Sequence, residues 1–296
     1  MRVKATRTAR TATKPSQAEV IGALVSSLLP AGQPWRPLNV PPDELRIDLT
    51  LACGQSFRWR STGPNEWTSV LQRRIISLRQ TSDDVHYRWY ATDSEADADD
   101  AVVRGLLRDY FRLDVPLAEH YRQWAAADAN FARHAAAFRG IRMLRQDPVE
   151  NVFSFICSSC NNIARITQMV DKLCARYGEP VGADDAGRPW HAFPTVAALA
   201  ADGVEEELRA LGLGYRAKYI SEAARLILRE HGPAWLPALR SLPYAEAHAA
   251  LLRLPGIGPK VADCICLMSL VRTHAAARPS VCATGLTGIG GEQPLL

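Results

Sequence analysis

The sequence predicts an α+β protein in which an N-terminal antiparallel β-sheet domain leads into a mostly α-helical domain. Three observations carry that prediction. From Leu45 to about residue 90, apolar and polar residues alternate with period two, broken by Gly, Pro, Asn and Asp clusters. Beyond residue 100 the apolar residues recur three and four apart almost throughout. Close to the end of the periodic region, a glycine turn joins two helical stretches at residues 254–267, L-P-G-I-G-P-K-V-A-D-C-I-C-L.

In order, residues 1–18 carry Arg2, Lys4, Arg7, Arg10 and Lys14 with no acidic residue, which suits either an organelle transit segment or a basic arm. Pro-rich sequence at 33–42 reads as a linker. L-R-I-D-L-T-L at 45–51 alternates strictly and reads as a strand, with Q-S-F-R-W-R at 55–60 as the next. Residues 67–71, 74–79 and 85–90 read as further strands, with turns at Gly63-Pro64-Asn65 and Ser82-Asp83-Asp84. The acidic run at 93–100 reads as a solvated loop and helix start. Helices are expected at 102–111, 117–127 and 130–138, and from the clean start at Asp147-Pro148. Others follow at 163–177, 196–200, 204–211, 215–228, 234–239 and 244–252, and the last recognised element is a separate helix that carries Lys260. Residues 278–296 hold four glycines and two prolines without a sustained period and read as a tail.

The totals exclude several classes. With 47% hydrophobic and 22% charged residues, the 296-residue chain has the composition of a soluble globular protein with room for one large or two moderate domains. No apolar run approaches the ~18–20 residues of a membrane span, so no membrane partner is expected. A net charge of +4 leans basic, too weakly to establish a nucleic-acid partner alone. Seven scattered cysteines argue against a disulfide framework and for a reducing compartment. C-S-S-C at 157–160 and C-I-C at 264–266 make a poor zinc set, because the second pair lacks the two-residue spacer; no metal is expected.

The glycine turn is where chemistry concentrates. Gly256 and Gly258 let backbone amides approach a ligand, and Pro259 opens the following helix, so the turn suits a phosphate. Lys260 sits in that helix's first turn, where a cation opposes the dipole at a cost of roughly 0.3–1 kcal/mol. The same field favours an uncharged, nucleophilic amine, although on position alone a plain surface lysine is the commoner case.

Five strings taken together resemble the eukaryotic 8-oxoguanine DNA glycosylases, from about Leu45 to about Leu270: residues 254–267, G-Q-S-F-R-W-R at 54–60, L-R-Q-D-P-V-E-N-V-F-S-F-I-C-S-S at 144–159, N-N-I-A-R-I at 161–166 and L-G-L-G-Y-R-A-K-Y at 211–219. The resemblance implies a helix-hairpin-helix glycosylase that flips 8-oxoguanine paired with cytosine out of duplex DNA, excises it and cleaves the strand. It makes Lys260 the Schiff-base nucleophile, with the amides of Gly256 and Gly258 holding a phosphate. Gly54 would accept from the N7–H of the oxidised base, and Cys264, one turn after Lys260, would pack against that base. Arg165 and Arg216 would read the orphaned cytosine beside the aromatic wedge Tyr215, and Asn161 belongs to the same DNA-contacting loop. No cofactor is implied, and a monomer acting in the nucleus, or the mitochondrion as well, is expected.

Two departures from the family pattern stand out. Cys160 occupies the first of three loop asparagines, the one that contacts the cytosine, and a thiol is a weaker donor and acceptor. The family's aspartate, nineteen residues after the lysine, is replaced by Pro279. The alternative reading is therefore a truncated or alternative product that binds DNA but lacks the catalytic aspartate. The expected organisation is an arm or transit segment at 1–35, the sheet domain at 36–115, the helical domain at 116–271 and a divergent, disordered tail at 272–296.

Overall fold

A computed structural model describes residues 32–90 and 99–270 of the chain. The basic arm up to residue 31, most of the acidic run (93–98) and the tail from 271, with Pro279, lie outside the described residues.

The alternating residues build one five-stranded antiparallel sheet from β1 (Arg36–Pro37), β2 (Arg60–Gly63), β3 (Glu66–Leu71), β4 (Arg74–Gln80) and β5 (Val85–Trp89). The strand order is β1-β5-β4-β3-β2. The β3–β4 hairpin turns on Gln72 and Arg73, whose φ values of 45° and 64° match the two-residue turn that follows strand twist. One face of β4 and β5 presents Ile76, Leu78, Tyr87 and Trp89 to α2 (Asp100–Tyr110), which contributes Val103 and Leu107. The stretch read as a linker thus supplies an edge strand, with Arg36 opposite Tyr87 and Pro37 opposite His86.

Residues 45–51 are not a strand. They fold around a short helix, α1 (Ile47–Thr50), and the buried set Ile47, Thr50, Leu51 has helical spacing, whereas Leu49 is half-exposed. Thr50 takes an inner position because its hydroxyl donates to the Gly140 carbonyl (3.3 Å). The next string also departs from expectation: Gln55, Ser56, Phe57, Arg58 and Trp59 are all buried in succession, and only Arg60 belongs to a strand. The cause is that this segment runs between two cores. Trp59 packs into the sheet cluster, and Phe57 packs into the helical one.

Two helices, α3 (Leu117–Ala127) and α4 (Ala129–Ala135), pack on each other and precede the helical core. That core is organised on α5 (Pro148–Ile156), which starts where Asp147 accepts from the Glu150 amide (2.9 Å). Around it stand α6 (Ile163–Tyr177), α7 (Val196–Ala200), α8 (Val204–Ala210), α9 (Arg216–Glu230), α10 (Trp235–Ala238), α11 (Tyr244–Leu251) and α12 (Pro259–Ile265), which runs on into a π turn at Cys266–Leu270. Gly178 ends α6 as expected, but Pro180 opens a ribbon the alternation did not reveal, β6 (Pro180–Ala183) with β7 (Pro189–His191). Proline is tolerated at the first residue of such a strand. No described helix is long and apolar enough to cross a membrane.

Arg58 joins these pieces. Its guanidinium pairs with Glu150 of α5 (3.1 Å), donates to the Val70 carbonyl of β3 (3.4 Å) and donates to the His191 carbonyl of β7. Both side chains are nearly inaccessible, so removing one partner leaves a buried charge uncompensated. Glu150→Ala is expected to lower the unfolding free energy by roughly 3–5 kcal/mol in a denaturant titration, while a double replacement of Arg58 and Glu150 by well-packed apolar residues costs far less.

Candidate active site

The hairpin is built as its residues dictate. Leu254 packs in the core, its carbonyl accepts from the Ile257 amide (3.2 Å), and Gly258 precedes Pro259 at the first position of α12. Gly256 has φ +83°, and a Cβ there would lie 2.8 Å from the Tyr219 Cβ and 2.9 Å from its ring, so no larger residue fits without displacement. Gly258 differs: its φ is −95°, and a Cβ would meet open space, so its lack of a side chain matters only by leaving the amide uncovered.

Lys260 is exposed in the first turn of α12, and its amine has neither a salt bridge nor a hydrogen bond among the described residues. The neighbouring carboxylate does not reach it. Asp263, 7% exposed, accepts from the Tyr244 hydroxyl, and its Oδ1 stands 3.2 Å from His248 Nε2. Cys264 follows one turn after Lys260 in the buried layer; burial pushes its thiol up, with the Lys260 charge acting against that shift.

A shallow groove of about 410 Å³ opens beside the hairpin, lined by Ser159, Tyr215, Tyr219, Gly256, Ile257 and Gly258. The loop between α5 and α6 forms its far edge. Asn161 is turned inward and ties that loop down, donating to the Cys157 carbonyl (3.0 Å). Cys160 is exposed with φ 47°, a left-handed conformation that a residue with a side chain takes at some cost. Asn162 caps α6 by accepting from the Arg165 amide (3.0 Å).

The sequence-level residues therefore fall into two groups. Cys160, Asn161, Tyr215, Arg216, Gly256 and Gly258 line or brace the groove, and Lys260 follows two positions after Gly258 in the first turn of α12. Arg165 stands exposed on the first turn of α6, its guanidinium without a partner among the described residues. Gly54 (φ +83°) lies in the turn before the buried string, with Ile163 of α6 against it: a Cβ at Gly54 would come 3.1 Å from Ile163 Cδ1.

Arg216 does not behave as the solvated helix residue its position suggests. It is 3% exposed, donates to the carbonyls of Ser159 and Cys160, and lies over the Tyr215 ring at 4.5 Å. The Tyr215 hydroxyl donates to the same Ser159 carbonyl (3.1 Å), yet the side chain remains 46% exposed. Three groove residues were assigned no role from sequence: Ser159, whose contribution is a backbone carbonyl, Ile257, and Tyr219, which sits one helical turn after Tyr215.

An antiparallel sheet set on a helical domain, whose glycine hairpin borders a shallow aromatic-edged groove and leads into a helix with an exposed lysine in its first turn, is the arrangement of a helix-hairpin-helix base-excision repair protein. Residues 37–152 match the 8-oxoguanine DNA glycosylase N-terminal domain and residues 153–284 match the HhH-GPD superfamily of base excision DNA repair proteins, so the chain belongs to the eukaryotic 8-oxoguanine DNA glycosylase family. The second match, to residue 284, extends past about Leu270, where the resemblance read from the sequence ends. The chain is 40% identical to the N-glycosylase/DNA lyase OGG1 of Arabidopsis thaliana, over 86% of its own length and 69% of that protein. It is 36% identical to the N-glycosylase/DNA lyase of Saccharomyces cerevisiae, over 79% of its length and 65% of that protein. It also superimposes with a TM-score of 0.68 and 25% identity on the Clostridium acetobutylicum 8-oxoguanine glycosylase/lyase in complex with double-stranded DNA containing cytosine opposite 8-oxoG, covering 80% of this chain and 79% of that one.

The cysteines give a direct check on the site's exposure. Burial pushes the thiols of Cys157, Cys174 and Cys266 up to about 12, so near pH 8 they stay protonated, whereas Cys160 faces solvent. Mass-spectrometric mapping of iodoacetamide labelling at pH 8 should find Cys160 modified well ahead of those three, with the order lost in denaturant.

Proposed function

We propose that this chain excises 8-oxoguanine opposite cytosine from duplex DNA and cleaves the strand at the resulting site, with Lys260 as nucleophile. The observation that carries the reading is the unpaired Lys260 amine, exposed at the hairpin beside the groove. In this reading Gly256 and Gly258 present amides to a phosphate, and Tyr215 enters the unstacked step. Arg165 offers a free guanidinium to the orphaned cytosine, while Arg216 and Asn161 hold the loop that carries Cys160. Gly54 and Cys264 border the flipped base.

The chemistry asks for an amine. Its lone pair forms a bond to the sugar C1′ while the glycosidic bond breaks, the base leaving with the bonding pair and taking up a proton. Loss of the amine proton and opening of the sugar give an iminium. This electron sink acidifies the 2′ hydrogen, whose removal expels the 3′ phosphate. The protein would act as a monomer in the nucleus, with the mitochondrion as a second address in view of the basic, acid-free residues 1–18.

A second reading has its own support: Pro279 stands at the aspartate position, and Asp263 is held by Tyr244 and His248. This version binds duplex DNA through salt-sensitive phosphate contacts without turning it over. Borohydride trapping on an 8-oxoguanine:cytosine duplex separates the two. A covalent adduct that disappears in Lys260→Gln is the expected result, with Pro279→Asp increasing the trapped fraction. Salt-dependent binding by folded protein with no adduct selects the second reading.

A further inference from the structure

The groove contains one side chain that touches both of its functional edges. Tyr219 meets the Tyr215 ring edge-on, with centroids 5.9 Å apart and planes at 76°. On its other side its Cβ and ring occupy the space that a Cβ on Gly256 would need, the nearest atoms lying 2.8–3.0 Å from that hypothetical carbon. Gly256 is the left-handed residue of the hairpin, and Tyr215 is the exposed aromatic at the opposite rim. The two edges come from separate segments, the start of α9 and the loop after α11, and Tyr219 spans the gap between them.

We infer that Tyr219 is a positioning residue that fixes the Tyr215 wedge relative to the hairpin. The inference rests on the DNA-binding reading above. The Tyr215 hydroxyl is anchored on the Ser159 carbonyl, which leaves its ring to be set by Arg216 over one face and Tyr219 against its edge. Rigid contact at Gly256 then makes any shift of the hairpin a shift of Tyr219, and through it of the wedge. A phosphate held at the hairpin and a side chain inserted into the base stack would keep a fixed separation, as recognition of an unstacked step requires. The contacts with Tyr215 and Gly256 are made by the ring and Cβ, so the role belongs to the ring and not to the hydroxyl.

Two measurements test this on the full chain. The first is fluorescence anisotropy with a duplex carrying a tetrahydrofuran abasic analogue opposite cytosine, compared with the intact duplex. Tyr219→Ala should reduce the preference for the analogue about tenfold, and Tyr219→Phe should restore it, with both variants melting cooperatively. Equal loss in Tyr219→Phe, or an unchanged preference in folded Tyr219→Ala, overturns the assignment. The second measurement needs no DNA. The 19F resonance of 3-fluorotyrosine at position 215, assigned with Tyr215→Phe, should move on Gly256→Ala in the wild-type background and stay in place on Gly256→Ala in a Tyr219→Ala background. A shift that persists without Tyr219 overturns the coupling. If the wild type binds neither duplex, the DNA-binding reading fails, while the resonance still decides whether the coupling exists.

Discussion

The buried contact between Arg58 and Glu150 is the constraint on which the geometry of the site depends. Arg58 is carried by the segment that passes between the two cores, and its donors reach α5, β3 and β7 at once. Its guanidinium therefore fixes α5 against the sheet, and the C-terminal end of α5 launches the loop that holds Ser159 and Cys160. A buried pair of this kind adds little net stability over an apolar equivalent, but it accepts few alternative geometries. The benefit lies in where α5 ends. From there one backbone carbonyl, that of Ser159, receives both the Tyr215 hydroxyl and the Arg216 guanidinium.

Arg216 shows how a residue's role can differ from what its type suggests. An arginine beside an expected orphan cytosine invites a base-reading assignment. Here its Nη2 is spent on two loop carbonyls, its guanidinium carbon lies over the Tyr215 ring, and its buried Nε has no partner among the described residues. A buried donor left unsatisfied is costly unless something completes it. The arrangement makes Arg216 first a brace for the Cys160 loop, and it leaves Arg165, exposed and unpaired among the described residues, as the freer cation on that face.

Much of the architecture was legible in the sequence because periodicity reports burial directly. The strands at 67–71, 74–79 and 85–90 and the start at Asp147-Pro148 stand where the pattern puts them. The failures have separate causes. Residues 45–51 alternate perfectly yet form a helix, since a buried threonine bonded to Gly140 can substitute for an apolar residue, and hydropathy does not register that. Residues 55–59 defeat any period because they are buried on all sides between two cores. In the site, Gly256 and Lys260 could be singled out from local chemistry, whereas Tyr219 could not. Its importance comes from contacts with one residue a helical turn away and another 37 positions later in the chain, and the second of these is invisible to spacing.

The state of Lys260 follows from where its nearest carboxylate is held. On a helix, residues three apart are neighbours, and an exposed lysine with an aspartate at that spacing would ordinarily pair with it. Such a pair would both hold the amine's proton and tether the side chain. In α12 the partner is diverted: α11 presents Tyr244 and His248 on the side facing Asp263, and together they engage its carboxylate within the protein. The same contacts fasten α12 to α11, so that the helix bearing the lysine is anchored by the group that would otherwise neutralise it. Burial makes the diversion stable, because a carboxylate with 7% exposure must be fully hydrogen-bonded where it lies and gains nothing by turning outward to a solvated ammonium. What this leaves beside the hairpin is a lysine without a counter-ion among the described residues, on a helix anchored to its neighbour.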